Sequence, residues 1–152
     1  MRILLDTTYM LPAIGVSVKR IPEDTAIKLI EEGHQISISE ITIFELSAMG
    51  AKHITLGTLT PERVSRGIRA IVHDDRIEKI PIHDGSVLLT AFRLRRSLND
   101  FVDCLILSSA INRSDLLSTE DRDIQNLGDK ELLEIIQTTN PEFKIQNLAS
   151  LA

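Results

Sequence analysis

The chain has 152 residues, 43% hydrophobic and 26% charged, with aromatics at only 3% and no Trp. That length fits a single domain spanning residues 1–152, with a core of Ile, Leu, Val and Ala large enough to need no disulfide staples. A formal net charge of −5 excludes a basic coat over the whole surface, although 17 Lys and Arg leave room for a local patch.

The N-terminal stretch Met1-Arg2-Ile3-Leu4-Leu5 is cut off by Asp6. It is too short for a signal peptide or a membrane span, so the expectation is a cytoplasmic protein without membrane attachment. Arg2 to Leu5 reads as a buried strand. Thr25 to Glu32 carries apolar residues at helical spacing and stops at Gly33. Gln35 to Ser39 alternates as a second strand, and Ile41 to Ala48 reads as a short helix with Gly50 beyond it. Ala51 to Leu59 reads as a connection. Thr60-Pro61-Glu62 places a cap, a first-turn proline and an acid at the start of a helix running to about Val72.

Arg76 to Ile82 reads as a third strand. Asp84 caps a helix that continues through Val87, Leu88, Ala91, Leu94 and Leu98, and a further helix covers Phe101 to Asn112. The single cysteine, Cys104, lies in an apolar run of that helix, which marks a packed core thiol. Asp115 to Ser118 is expected as the fourth strand and Glu134 to Gln137 as the fifth. Asn140-Pro141-Glu142 repeats the cap-proline-acid pattern and is expected to open a last helix. Strands alternating with helices predict a three-layer α/β/α fold around a central, mainly parallel sheet of about five strands.

The acids fall at informative places. Open parallel sheets bind ligands at the carboxyl ends of their strands. Asp6 closes the first strand there, or else caps the following turn through Thr7 and Thr8. Asp121 follows the fourth strand, with Glu120 and Asp123 beside it as ordinary loop acids or as rivals. Asp103 sits in the first turn of an otherwise apolar helix. There an acid is costly unless it is paired, binds a cation or faces the helix dipole, and Asp100 serves as the cap. Glu45 has apolar neighbours in Ile43-Phe44-Glu45-Leu46. Four acids from distant segments can therefore converge at one edge. Crowded carboxylates suit hard cations such as Mg²⁺ or Mn²⁺, which activate water and stabilise charge on a phosphodiester. The four histidines, His34, His53, His73 and His83, show no ligand spacing. No Walker loop, G-x-G-x-x-G or G-x-S-x-G is present.

Asp6-Thr7-Thr8 after an apolar strand, Phe44-Glu45-Leu46, Val102-Asp103-Cys104-Leu105-Ile106 and Leu117-Ser118-Thr119-Glu120-Asp121-Arg122-Asp123 together resemble the PIN domain. The closing segment, from Leu133 to Phe143, is similar to the usual end of that domain. The resemblance implies an Mg²⁺- or Mn²⁺-dependent nuclease acting on RNA, with Asp6, Glu45, Asp103 and Asp121 as metal-binding catalytic acids. It makes Thr119 and Thr8 supporting hydroxyls, and Asp123 an acid that substitutes for or assists Asp121. It also implies the toxin of a toxin–antitoxin pair, with an antitoxin protein as partner, and a homodimer. The rivals are a non-catalytic RNA- or protein-binding module of the same fold and a processing nuclease without an antitoxin. A phospho-acceptor domain is disfavoured, because Glu134 to Thr139 lacks its lysine. Arg93, Arg95 and Arg96 form the densest cationic run. They are expected either to complement a helix C-terminus or to contact RNA.

Overall fold

Ile3, Leu4 and Leu5 are fully buried in strand β1 (Arg2–Leu5), so both faces of this strand must be covered. The computed structural model, which describes residues 1–151, covers them by burying β1 at the centre of a five-stranded sheet. The other strands are β2 (Gln35–Ser39), β3 (Ile77–Ile80), β4 (Leu116–Ser118) and β5 (Lys144–Gln146), in the order β3-β2-β1-β4-β5. Every pairing is parallel. Side chains alternate across the sheet as period two requires. Ile3, Leu5, Ile36, Ile38 and Leu116 join one core layer, and Leu4, Ile80 and Leu117 join the other. The expected three-layer α/β/α architecture is therefore the one observed.

A 3-10 helix (Thr7–Ile14) follows β1, and eight α-helices complete the described residues. They are α1 (Thr25–Glu31), α2 (Ile41–Thr55), α3 (Pro61–Val72), α4 (Gly85–Leu94), α5 (Phe101–Arg113), α6 (Arg122–Gln125), α7 (Lys130–Thr139) and α8 (Leu148–Leu151). Thr60 caps α3 through the Arg63 amide, Asp84 caps α4, and Asp100 caps α5 through the Val102 amide. Each cap satisfies amides that the first turn leaves without a partner. Cys104 is a buried core thiol. Among the described residues no helix is long and apolar enough to cross a membrane.

Three expectations fail for identifiable reasons. The helix from Ile41 does not stop before Gly50 but continues to Thr55, taking in half of the expected connection. Gly50 is tolerated inside it because α3 packs there: a Cβ would lie 2.4 Å from Val64 Cγ1. The expected fifth strand at Glu134 to Gln137 is part of α7, whose Leu132 and Ile135 share a buried face at helical spacing. The Asn140-Pro141-Glu142 pattern opens no helix; it leads into β5. The Asn140 side-chain Nδ2 instead donates to the carbonyls of Ile111 (3.1 Å) and Ser114 (2.8 Å), satisfying acceptors at the end of α5.

Candidate carboxylate site

The sheet order reverses beside β1. The chain first builds outward through β2 and β3, then crosses to the other side of β1 for β4 and β5. A crevice at the carboxyl ends of β1 and β4 is the geometric consequence. Asp6 enters it directly from β1, with its amide bonded to the Ser118 carbonyl at 3.0 Å. Its side chain is only 9% exposed.

Both Asp6 oxygens are held. Oδ1 accepts from the Thr7 amide at 2.8 Å and Oδ2 from Thr119 Oγ1 at 2.6 Å. Thr119 Oγ1 in turn accepts from the Asp121 amide at 3.1 Å, which fixes its hydroxyl proton on Asp6. On the other side, the Thr7 hydroxyl donates to the Glu45 carboxylate and lies 3.0 Å from Thr42 Oγ1. Two threonines thus tie acids from the ends of β1 and β4 and from α2 into one assembly. Asp121 caps α6 through Oδ1, which accepts from the Asp123 and Ile124 amides.

These groups line a cavity of about 630 Å³, within the usual size of a small-ligand site. Asp6, Glu45, Asp103, Glu120 and Asp121 supply its carboxylates and Lys52 its cation; Leu11, Phe44, Ala48, Met49 and Val102 supply apolar wall. The carboxylates disturb one another. Burial, then the charges of Asp100, Asp6, Asp121 and Glu45, push Asp103 up to about 7. Burial also raises Asp6, against the opposing bonds from Thr119 and Thr7. Glu45 is raised by burial and by Asp6 and Asp100, while the Thr7 bond opposes the shift. The site therefore favours positive charge, supplied by protons or by a cation.

Hard oxygen donors with excess negative charge fit a divalent cation such as Mg²⁺ or Mn²⁺. Among the described residues no three Asp, Glu, His or Cys side chains already close into a ligand cluster; the acids ring the cavity instead.

The four expected acids, Asp6, Glu45, Asp103 and Asp121, meet in this cavity. Asp123 is exposed on α6 and does not line it. Thr119 bonds to Asp6 without itself lining the cavity. Thr8 lines the wall, but its neighbour Thr7 makes the bonds. Arg93 pairs with Glu131 at 3.0 Å, Arg95 donates to the Leu98 carbonyl at 3.2 Å, Arg96 is exposed, and none of the three lines the cavity. Sequence reasoning missed Thr7, Lys52, Tyr9 and the part played by Glu120. Tyr9 donates to Glu120, which also accepts from the Leu148 amide at 2.9 Å. That Tyr9 is the only tyrosine, placed three residues after Asp6, was the available signal.

A family model described as the PIN domain matches residues 3–130. A search of curated proteins found no significant match. Among solved structures, DNA-bound VapBC from Salmonella typhimurium is similar at 22% identity and TM-score 0.60, covering 97% of this chain and 98% of that one. VapBC2 from Rickettsia felis, bound to a DNA fragment from its promoter, is similar at 19% identity and TM-score 0.59, with the same coverage. At these identities the likeness concerns the fold.

Proposed function

The chain belongs to the PIN domain family, and from that membership we propose that it is an Mg²⁺- or Mn²⁺-dependent endoribonuclease, the toxin of a toxin–antitoxin pair. The observation that carries the reading is the convergence of Asp6, Glu45, Asp103 and Asp121 on one cavity. A binding module has no use for carboxylates that raise one another's proton affinity; a nuclease does.

In this reading Asp6, Asp103 and Asp121 hold the cation, and Glu45 completes the set. A bound divalent ion supplies Lewis-acid stabilisation of phosphodiester charge and an activated water. The chain's own residues do the rest. Thr7 and Thr119 fix the rotamers of Glu45 and Asp6, so those oxygens need no reorganisation when a ligand arrives. Asp121 keeps one oxygen on the α6 cap and also lines the cavity.

The antitoxin as partner rests on the fold shared with the VapBC structures. A homodimer is supported by exposed apolar surface on α4 and α5, where Leu89 and Phe92 are 68% and 58% exposed and Phe92 stacks on Phe101 at 5.8 Å.

The test is cleavage of single-stranded RNA with Mg²⁺ or Mn²⁺. EDTA is expected to stop it, and Asp6→Asn to abolish it while the protein still melts cooperatively. Cleavage that survives both treatments overturns the reading.

A further inference from the structure

Phe44 is 64% exposed in a chain that has only four Phe, one Tyr and no Trp. It belongs to neither core layer, whereas Phe143 is 6% exposed and packed. Nothing in the packing requires an aromatic ring at position 44. The ring instead forms wall for two adjoining cavities. One is the carboxylate cavity; the other, of about 550 Å³, is lined by Ile43, Ser47, Val72 and Lys79 among others.

Its position relative to the acids is fixed. Phe44 precedes Glu45 on α2, and Glu45 is held by Thr7, so the rotation of this helix about its axis is pinned at that turn. Phe44, Ala48 and Lys52 are four residues apart, which places them along one stripe at steps of roughly 6 Å. Ala48 leaves the stripe open between the ring and the ammonium group. Lys52 has no ion pair among the described residues.

We propose that Phe44 is a stacking platform for the base of the nucleotide beside the scissile phosphate, and that Lys52 holds a neighbouring phosphate. The inference rests on the ribonuclease reading and adds to it the residues that position the strand. A flat apolar ring and an unpaired cation two turns along the same helix, both lining the cavity that holds the acids, match a single-stranded nucleic acid, which carries a π-face and a negative charge at every residue. An apolar peptide segment would cover the ring but leave Lys52 without an anion. Stacking also makes the site select single strands, because bases in a duplex have no free face.

The test uses the full chain. Phe44→Ala is expected to raise KM for single-stranded RNA about 5- to 150-fold, the range for one lost base–aromatic stack, with kcat little changed. Phe44→Tyr should restore the wild-type KM. Because the chain has no Trp, Phe44→Trp introduces a single indole. In an Asp6→Asn background that halts turnover, its fluorescence should be quenched by single-stranded RNA and not by a strand whose central nucleotides are abasic. Lys52→Ala should reduce the slope of log affinity against log salt by about 0.7, the value of one phosphate contact on a single strand. An unchanged KM for Phe44→Ala overturns the proposal. So does equal quenching by the abasic strand, or quenching by an apolar peptide alone with RNA kinetics indifferent to residue 44. Failure of the ribonuclease reading looks different, since the wild type itself then leaves RNA intact.

Discussion

Removing an acid from the site should stabilise the metal-free protein, and Asp103→Asn is the sharpest case. Asp103 is pushed from 3.8 to about 7 by burial and by four other carboxylates. Its folded value lies above its unfolded one, so the folded state holds the proton more tightly. Its contribution to stability is therefore fully present below about pH 4 and is lost as pH rises to about 7. Taken at full value the shift corresponds to roughly 4 kcal/mol at pH 8, but Asp103 is only partly buried, and solvent screening reduces this to the order of 1–2 kcal/mol. Asparagine has a similar shape and no charge, so it removes that cost. In EDTA at pH 8, Asp103→Asn should melt about 2–8 °C above wild type, and at pH 5 the advantage should be smaller. Added Mg²⁺ or Mn²⁺ should reverse the order, because a cation bound only by the folded state stabilises it and the variant lacks one of the proposed ligands. Differential scanning fluorimetry at the two pH values, with and without metal, measures all of this. A variant that is less stable than wild type at pH 8 in EDTA, or an advantage that does not change with pH, would refute the electrostatic argument.

Thr119→Val removes the hydroxyl that binds Asp6 and accepts from the Asp121 amide, and it should cost about 1.5–3 kcal/mol in chemical denaturation and lower nuclease activity. Asp121→Asn should weaken the metal-induced rise in melting temperature, whereas Asp123→Asn, outside the cavity, should leave it unchanged. Replacing Arg95 and Arg96 together by Ala should alter the salt dependence of RNA binding less than Lys52→Ala does, because neither arginine lines the cavity. Phe92→Glu should shift light scattering from dimer to monomer without loss of fold, as this ring is largely exposed.

Several features of the site are legible in short stretches of chain. An apolar run ending in Asp6 announces a central strand with its acid at the ligand-binding edge. Asp103 stands out because its helix is otherwise apolar, although an acid in the first turn also complements the helix dipole. Thr60, Asp84 and Asp100 act as the caps their neighbours suggest. In each case the determining interaction spans only a few residues, so local pattern is enough.

What only the tertiary structure decided depends on partners far along the chain. The Glu134 to Gln137 segment carries adjacent Ile residues that suit a strand or a helix; packing of Leu132 and Ile135 on the core selected the helix, and β5 formed later, at Lys144–Gln146. Thr8 and Thr7 are equivalent in sequence, yet Thr7 became the support, because the turn after β1 brings its hydroxyl to a glutamate 38 residues away. Thr119 reaches Asp6 across 113 residues only because β4 pairs in parallel with β1. Phe44 and Lys52 share a face because α2 runs on through Gly50, where Val64 of α3 packs too close for any side chain. The sequence by itself determined which side chains have chemistry to offer. The fold decided which of them meet, since a contact between distant residues is set by strand register and helix rotation, and no local window of sequence encodes either.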